Sequence, residues 1–462
     1  MGLSPMRTAV NEGGPDAVAT PAAAERLTAL ADWALGQLAP RADYVQVFAE
    51  QTLEIRTETL DGRELATRLE PHEGLGCMVL QNDRWRYRHV AASELPALAH
   101  WLRGPEQRAQ PSLPCRWPDL PETGFVPVAA KDWRVAGADV PYTLRAMEDF
   151  TARTIAVADS DGLRASSSSQ RTRQRLEATV SDHGARSRGL SRYVLHETSQ
   201  RPYPGAGAVA RQALDNALHA SRAAVTGQFC TPVVFGPSAA AGFLHELIGH
   251  ALEGDNFALD SVYLAALRRG PAITDKLTII DDPSLADGHG SRPIDDEGMQ
   301  TRPTTLLAQG KIVSPLTSVR TSRRNGYTPS GSGRRMDYRH LALPRASNTV
   351  VLPGTEEPTE MHRDTRAGVL IVDCLGAGMI NLATGEFSFA GLNCTYVTPG
   401  GERIPARDVS LVGDALDALS RIDAIGSDMG GDSSTCGKQG QLVGIGVFSP
   451  SMRFTGLKWT AS

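Results

Sequence analysis

The chain has 462 residues, enough for two or three domains with filled cores. It is 41% hydrophobic and 21% charged, and a formal net charge of −5 speaks against general nucleic-acid affinity, which needs a basic field. No run approaches the ~20 apolar residues of a membrane helix, and six scattered cysteines without a CxxC pair point to a reducing cytoplasm, not a disulfide framework.

Residues 1–18 carry Glu12 and Asp16, lack an apolar core and read as a flexible tail. Pro21 to Leu38 places Leu27, Leu30, Ala31, Ala34 and Leu38 at helical spacing. Tyr44 to Leu80 alternates apolar and polar residues around an Asp61-Gly62 turn, which predicts an antiparallel sheet. Seven prolines between Gly104 and Pro141 exclude a long regular element and predict a surface excursion. Tyr142 to Val157 reads as helical, Leu163 to Glu197 as short polar strands, and Gly205 to Val225 as a small-residue helix. A boundary near residue 228 separates an N-terminal α+β domain, 19–228, from a C-terminal domain, 229–462. There the Val233–Phe235 strand leads into a helix starting at Gly236-Pro237-Ser238. Beyond Leu259, short apolar runs such as GVLIVDC and EFSFAGLNCTYV end in Gly, Pro, Asp or Asn. The expected class is α+β, with a mainly β C-terminal domain, a curled sheet or barrel, packed on that helix.

The helix carries HELIGHALEGD, residues 245 to 255. Zinc-protease helices space their histidines as His-Glu-x-x-His, one turn apart. Here His245 and His250 are five positions apart, which on a regular helix points the rings roughly 140° from each other. Gly249, between them, is ~1 kcal/mol worse than Ala in a helix interior. A π-bulge there would lower the rotation per residue and swing the rings together. Glu246 stands where a general base for activated water belongs. Glu253 and Asp255 are placed to orient the imidazoles, although a solvated helix end explains Asp255 equally well. Two histidines do not complete a zinc site, and the bland reading is a pair of satisfied core rings. Candidates for a third ligand are Cys374, Cys394, Cys436, His289, His340 and His362. Cys374 and Cys394 lie in strand-like runs and read as buried thiols. Cys436 lies in GGDSSTCGKQGQ, a polar glycine-rich loop in which Lys438 favours the thiolate.

These stretches together resemble the TldD/PmbA family of metalloproteases, in its metal-bearing TldD-type subunit. The resemblance rests on His245-Glu246-x-x-x-His250 followed by Ala-Leu-Glu-Gly-Asp, then TIIDDPSLADGHGSRPIDDEGMQTRPTTLLAQGKIV, GSGRRMDYRHLALPRASNTVVLPG, GAGMINLATGEFSFA and CGKQGQLVGIG. It covers most of residues 205 to 462 and is weaker over 20 to 200. It implies zinc held by His245, His250 and Cys436, with Glu246 as base, and hydrolysis of unfolded or leader peptides. It also implies a partner, a second TldD/PmbA-family subunit in a heterodimer or a second copy of this chain. Substrate is expected to add to a sheet as an extended strand. Residues 256–272 and 376–381 depart from the family pattern and are expected to line the substrate path. Arg334 and Arg335 are expected to anchor peptide carboxylates or carbonyls, or to sit in a solvated turn. The rival readings are a metal-dependent hydrolase or amide-forming enzyme for a small natural-product metabolite, and a peptide-binding module.

Overall fold

Alternating side chains in the N-terminal half build one long antiparallel sheet. The computed structural model describes residues 21–95, 133–135, 140–182, 185–196, 204–270, 273–286, 288–362 and 367–462. The expected N-terminal tail and most of the proline-rich stretch lie outside the described residues. Strands β1 (Tyr44–Leu60), β2 (Arg63–Gln81), β3 (Arg84–Ala91), β4 (Tyr142–Asp159), β5 (Arg164–Asp182) and β6 (Ala185–His196) form a sheet in the order β3-β2-β1-β4-β5-β6. Asp61 and Gly62, both at positive φ, make the β1–β2 turn.

Because successive side chains alternate, the sheet has two distinct faces. Helix α1 (Pro21–Leu38) covers one with Leu27, Leu30, Ala31 and Ala34 against Val45, Val47, Leu75 and Ala156. The Ala206–Ser221 helix covers the same face further along, with Val209, Ala213 and Leu214 against Leu144, Leu176 and Val180. It sits so close that a Cβ on Gly189 would meet the Ala213 carbonyl at 2.1 Å. The other face turns toward the C-terminal half. From β4, Arg153 reaches Glu50 at 2.6 Å and Asp296 at 2.9 Å. Gln46 donates to the Glu297 carbonyl, and the Arg335 guanidinium lies 4.2 Å from the centre of the Phe48 ring.

Tyr142 to Val157 corrects the sequence reading, because it forms the central strand β4 and not a helix. Burial alternates from Leu144 to Thr154, but polar Glu148 and Thr154 occupy buried positions and Ile155, Ala156, Val157 and Ala158 are buried in succession, which blurs the apolar alternation. The strands after Leu163 are also long, at 19 and 12 residues, where short ones were expected.

The C-terminal half is mainly β, as its short apolar runs predict. Strand β7 (Gly227–Phe235) pairs with Val369–Ile380 on one side and Met452–Ala461 on the other. Val409–Asp414 and Glu386–Val397 complete a ring that closes back on Val369–Ile380. The short Pro237–Leu244 helix starts with proline at its first turn and plugs this five-stranded barrel. Its Phe243 ring lies 5.0–5.5 Å from those of Phe235, Phe387, Phe389 and Phe454. A second sheet contains the Asn348–Val351 strand and the hairpin Gly430–Lys438/Gln441–Ser449. The helix end is thus held between barrel and sheet. Val262–Arg268, inside the stretch expected to be mostly β, is a short helix.

The Arg153–Asp296 pair ties the two halves together, and its loss should be measurable. Burial pushes the Asp296 carboxyl up, but Arg153 and Arg292 overcome it and hold the pKa at about 2. A depressed carboxylate pKa contributes stability in full above the unfolded value of ~3.9, and that contribution is lost as pH falls toward 2. Asp296→Asn leaves Arg153 short of a buried partner and should cost about 3–5 kcal/mol in urea melts at pH 7. The gap between wild type and variant should narrow between pH 4 and 2.

Candidate metal centre

Where the barrel plug ends, the helix changes pitch. His245–Gly249 is one turn of π-helix, with the His250 amide donating to the His245 carbonyl at 3.1 Å. The wider turn lowers the rotation per residue and brings both rings to one side, 5.0 Å between centroids and 64° between planes. Gly249 leaves the His245 ring its room there, since a Cβ would lie 3.1 Å from His245 Nδ1 and push the ring aside. The Tyr263 hydroxyl donates to the Leu247 carbonyl at 2.6 Å and supports the irregular turn from outside.

Cys436 arrives from the second sheet. The sequence reading placed it in a loop, but Gly430–Lys438 is a strand paired with Gln441–Ser449. Its glycines make room for neighbours. A Cβ on Gly431 would meet the Phe448 ring at 2.3 Å, and one on Gly444 would meet His289 at 2.4 Å. Ligand atoms of His245, His250 and Cys436 all lie within 4.8 Å of one another. Cys436 Sγ is 3.1 Å from His250 Nε2.

The other ring nitrogens are engaged outward. His245 Nδ1 meets Thr349 Oγ1 at 2.9 Å, and His250 Nδ1 meets Glu253 Oε2 at 3.0 Å. Such partners fix tautomer and ring orientation and leave Nε2 facing inward. The His245 Nε2 atom is buried with no hydrogen-bond partner. An orphaned imidazole nitrogen beside a thiol and a second imidazole is a donor set that fits a borderline-soft divalent ion such as zinc.

Charges around the cluster are balanced in layers. Glu253 is fully buried, and Lys438 reaches it at 2.9 Å, Asn256 at 3.1 Å and Arg345 at 3.5 Å. Burial would push its carboxyl up, yet His250 and Lys438 hold it at about 2. Asp255 is not a solvated end, because it takes a 2.6 Å contact from Lys438. Burial pushes the Cys436 thiol up too, and the facing His250 more than reverses that, holding it well below its ordinary value. Lys438 therefore acts on Glu253 and Asp255, where the sequence reading had it act on Cys436 directly.

His245 and Cys436 line a cavity of about 100 Å³ together with Glu246, Arg192, Ser238, Asp432, Gly376 and Gly378. The Glu246 carboxylate is 3.8 Å from His250 Nε2. Of the two divergent segments, 376–381 lines this cavity, while 256–272 supplies Tyr263 beneath the π-turn. Cys374 and Cys394 sit on barrel strands, with thiols pushed up by burial. His289 faces the Ser434 carbonyl at 3.1 Å, His340 faces Asp337 at 2.8 Å, and His362 lies in a short 3₁₀ turn. None of these joins the cluster. Arg334 and Arg335 are 1% and 2% exposed, so neither occupies a solvated turn. Arg334 donates to the Ala346 and Gly444 carbonyls and Arg335 to Tyr87 and the Asp296 carbonyl. Thr349, Arg345 and Arg192 carried no local signal in the sequence, because each reaches the site from a distant element. Among the described residues one other group has metal-ligand spacing, the less buried Glu54, Glu70 and His72 on the N-terminal sheet.

Gly249→Ala is expected to displace the His245 ring and lower zinc affinity about 10–100-fold, the range for mis-set ligand orientation. Thermal stability should fall little, since Ala favours the helix by ~1 kcal/mol. Competition against a chelator, with a melting curve on the same sample, checks both.

Residues 226–461 match the model of the PmbA/TldA metallopeptidase C-terminal domain. A protein of Buchnera aphidicola named Metalloprotease TldD homolog is 29% identical over 316 residues, 66% of this chain and 65% of that protein. A Zinc metalloprotease TldD homolog of Saccharolobus solfataricus is 29% identical over 49% of this chain and 51% of its own length. The chain thus aligns with about half to two thirds of these relatives. In fold it is similar to the crystal structure of TldE from Thermococcus kodakarensis, with a TM-score of 0.68 at 15% identity over 94% of this chain and all of that one. Among the described residues no helix is long and apolar enough to cross a membrane. The chain belongs to the PmbA/TldD family of metallopeptidases.

Proposed function

We propose that this chain is a zinc-dependent peptide hydrolase whose metal is held by His245, His250 and Cys436 and whose general base is Glu246. The observation that carries the reading is the buried, unpartnered His245 Nε2 facing a second imidazole and a thiol within 4.8 Å. A bound zinc ion supplies Lewis acidity, polarising a carbonyl and easing the deprotonation of water.

The chain's own residues supply the rest. Thr349 and Glu253 hold the two imidazoles in register, so that binding needs no ring reorganisation. Lys438, Arg345 and Asn256 keep the fully buried Glu253 anionic. Glu246 retains 27% side-chain exposure and faces the cavity, placed to take a proton from attacking water and pass it to the leaving amine. Thr435 lines both this narrow cavity and a neighbouring cleft of about 570 Å³ between the N-terminal sheet and the C-terminal half. A large cleft beside the proposed metal site favours an extended polypeptide over a small amide metabolite. A second family subunit, or a second copy of this chain, is the partner we propose, and unfolded or leader peptides are the substrates.

Elemental analysis after a chelator wash tests the ligands. The wild-type protein should retain near-stoichiometric zinc, and Cys436→Ser should lose most of it. Glu246→Gln should keep its zinc yet lose at least ~10²-fold in peptide turnover, the lower range for general-base removal. Full turnover in Glu246→Gln would remove the base from the mechanism. Absence of zinc from the supplied wild-type protein would remove the hydrolase reading.

A further inference from the structure

Strand β5 reads RTRQR from Arg171 to Arg175, so three arginines alternate along it and share one face. That face looks toward the C-terminal half. Arg171 donates to the His289 carbonyl at 2.5 Å, and Arg173 to Thr435 Oγ1 at 2.6 Å, one residue before Cys436, while also pairing with Asp149 at 2.7 Å. Directly opposite Arg175, on β6, stands Arg192. Its guanidinium lines the Glu246 cavity and reaches Asp432 at 3.2 Å. Like charges at directly opposed positions destabilise a sheet. Here such a pair forms the end of the row nearest the proposed metal.

The cleft beside this row is lined by eight arginines and five carboxylates, in a chain whose total charge is −5. Two of those arginines, Arg334 and Arg335, are buried to 1% and 2% exposure. Among the described residues their guanidinium groups meet carbonyls and a tyrosine hydroxyl but no carboxylate. The Nε of each is buried without a partner. Burial first, and Arg292 second, press the Arg334 pKa well below its ordinary value, against the opposing pull of Asp296 and Asp281. Arginines still outnumber carboxylates in the cleft once Asp296, which pairs with Arg153 and Arg292 from behind its wall, is counted, and low-dielectric walls concentrate that field.

We propose that this face of the N-terminal sheet selects acidic peptide segments. Carboxylate side chains of an extended polypeptide approach the exposed Arg175 first, share Arg173 with Asp149 and reach Arg171 further along, while Arg192, held by Asp432, faces the last of them beside the scissile amide. The selection rests on the peptidase reading for its purpose but not for its binding chemistry. A nucleic acid fits less well, because Glu54, Glu70 and Asp149 in the same cleft oppose a continuous phosphate backbone, whereas peptide carboxylates can be spaced between them.

Fluorescence anisotropy of the full chain tests it, using an unstructured Gly/Ser peptide bearing several Glu residues and its counterpart with Gln. The Glu peptide should bind at least tenfold tighter at low ionic strength, and most of that preference should vanish by about 0.5 M salt, where screening is nearly complete. Arg171→Gln combined with Arg173→Gln should abolish the preference. Arg175→Gln, on an exposed side chain whose loss does not threaten folding, should reduce it two- to threefold. Equal binding of the two peptides, no binding of either, a preference that survives the double substitution, or tighter binding of a single-stranded oligonucleotide of matched charge each overturns the proposal. Zinc content measured on the same samples separates the two readings. Normal zinc without a Glu preference sinks only the selection, whereas a Glu preference without zinc sinks only the hydrolase.

Discussion

A hydrogen bond from the His250 amide to the His245 carbonyl, five residues back, decides which way two imidazoles point. Had the turn stayed α-helical, the rings would diverge by roughly 140° and no ion could touch both. The π-turn persists because its surroundings over-determine it. Phe243 is locked among four barrel phenylalanines just before it, Tyr263 holds the Leu247 carbonyl beside it, and Gly249 leaves the space that the His245 ring occupies. Such irregular turns are costly in isolation and are retained where the geometry they create is used.

From that turn outward, charge is arranged in alternating layers. The imidazoles and thiol face one another, Glu253 stands behind His250, and Lys438, Arg345 and Asn256 stand behind Glu253. A carboxylate with no solvent exposure would be untenable without them. The layering also links three elements far apart in sequence, because Arg345 donates to the Cys436 carbonyl at 2.7 Å while reaching Glu253. The second sheet is thereby pinned to the helix end. The N-terminal sheet joins the same arrangement through Arg153–Asp296 and through Arg192, which places a cation from one half of the chain in the cavity of the other.

What the sequence made legible was whatever its chemistry encodes locally. The odd spacing in HELIGH, with glycine in mid-helix, pointed to an irregular turn before any fold was known. The alternation of Tyr44 to Leu80 announced its hairpin although Tyr44 to Leu53 is buried on both faces, because polar Gln46, Glu50 and Thr52 alternate there with the helix-facing Val45, Val47 and Ala49. Tyr142 to Val157 misled because its buried positions, Leu144, Ala146, Glu148, Phe150, Ala152 and Thr154, alternate in space but include polar Glu148 and Thr154, and Ile155 to Ala158 are buried in succession. Cys436 was legible as a reactive type but not as a strand residue, since glycines that let Phe448 and His289 approach look like loop glycines in one dimension. Arg334 and Arg335 looked solvated because their carbonyl and hydroxyl partners come from remote segments. Thr349 and Arg345 lie about a hundred residues from the helix they support, beyond any local pattern.

The central claim is that a two-nitrogen, one-sulfur site forms around the π-turn. X-ray absorption at the zinc edge, on the purified protein after zinc loading and removal of excess metal, tests it most directly. The account predicts one sulfur at about 2.3 Å and two imidazole nitrogens at about 2.0–2.1 Å, with the sulfur absent in Cys436→Ser. A first shell of oxygens with a single imidazole, as Glu54, Glu70 and His72 would give, would contradict it.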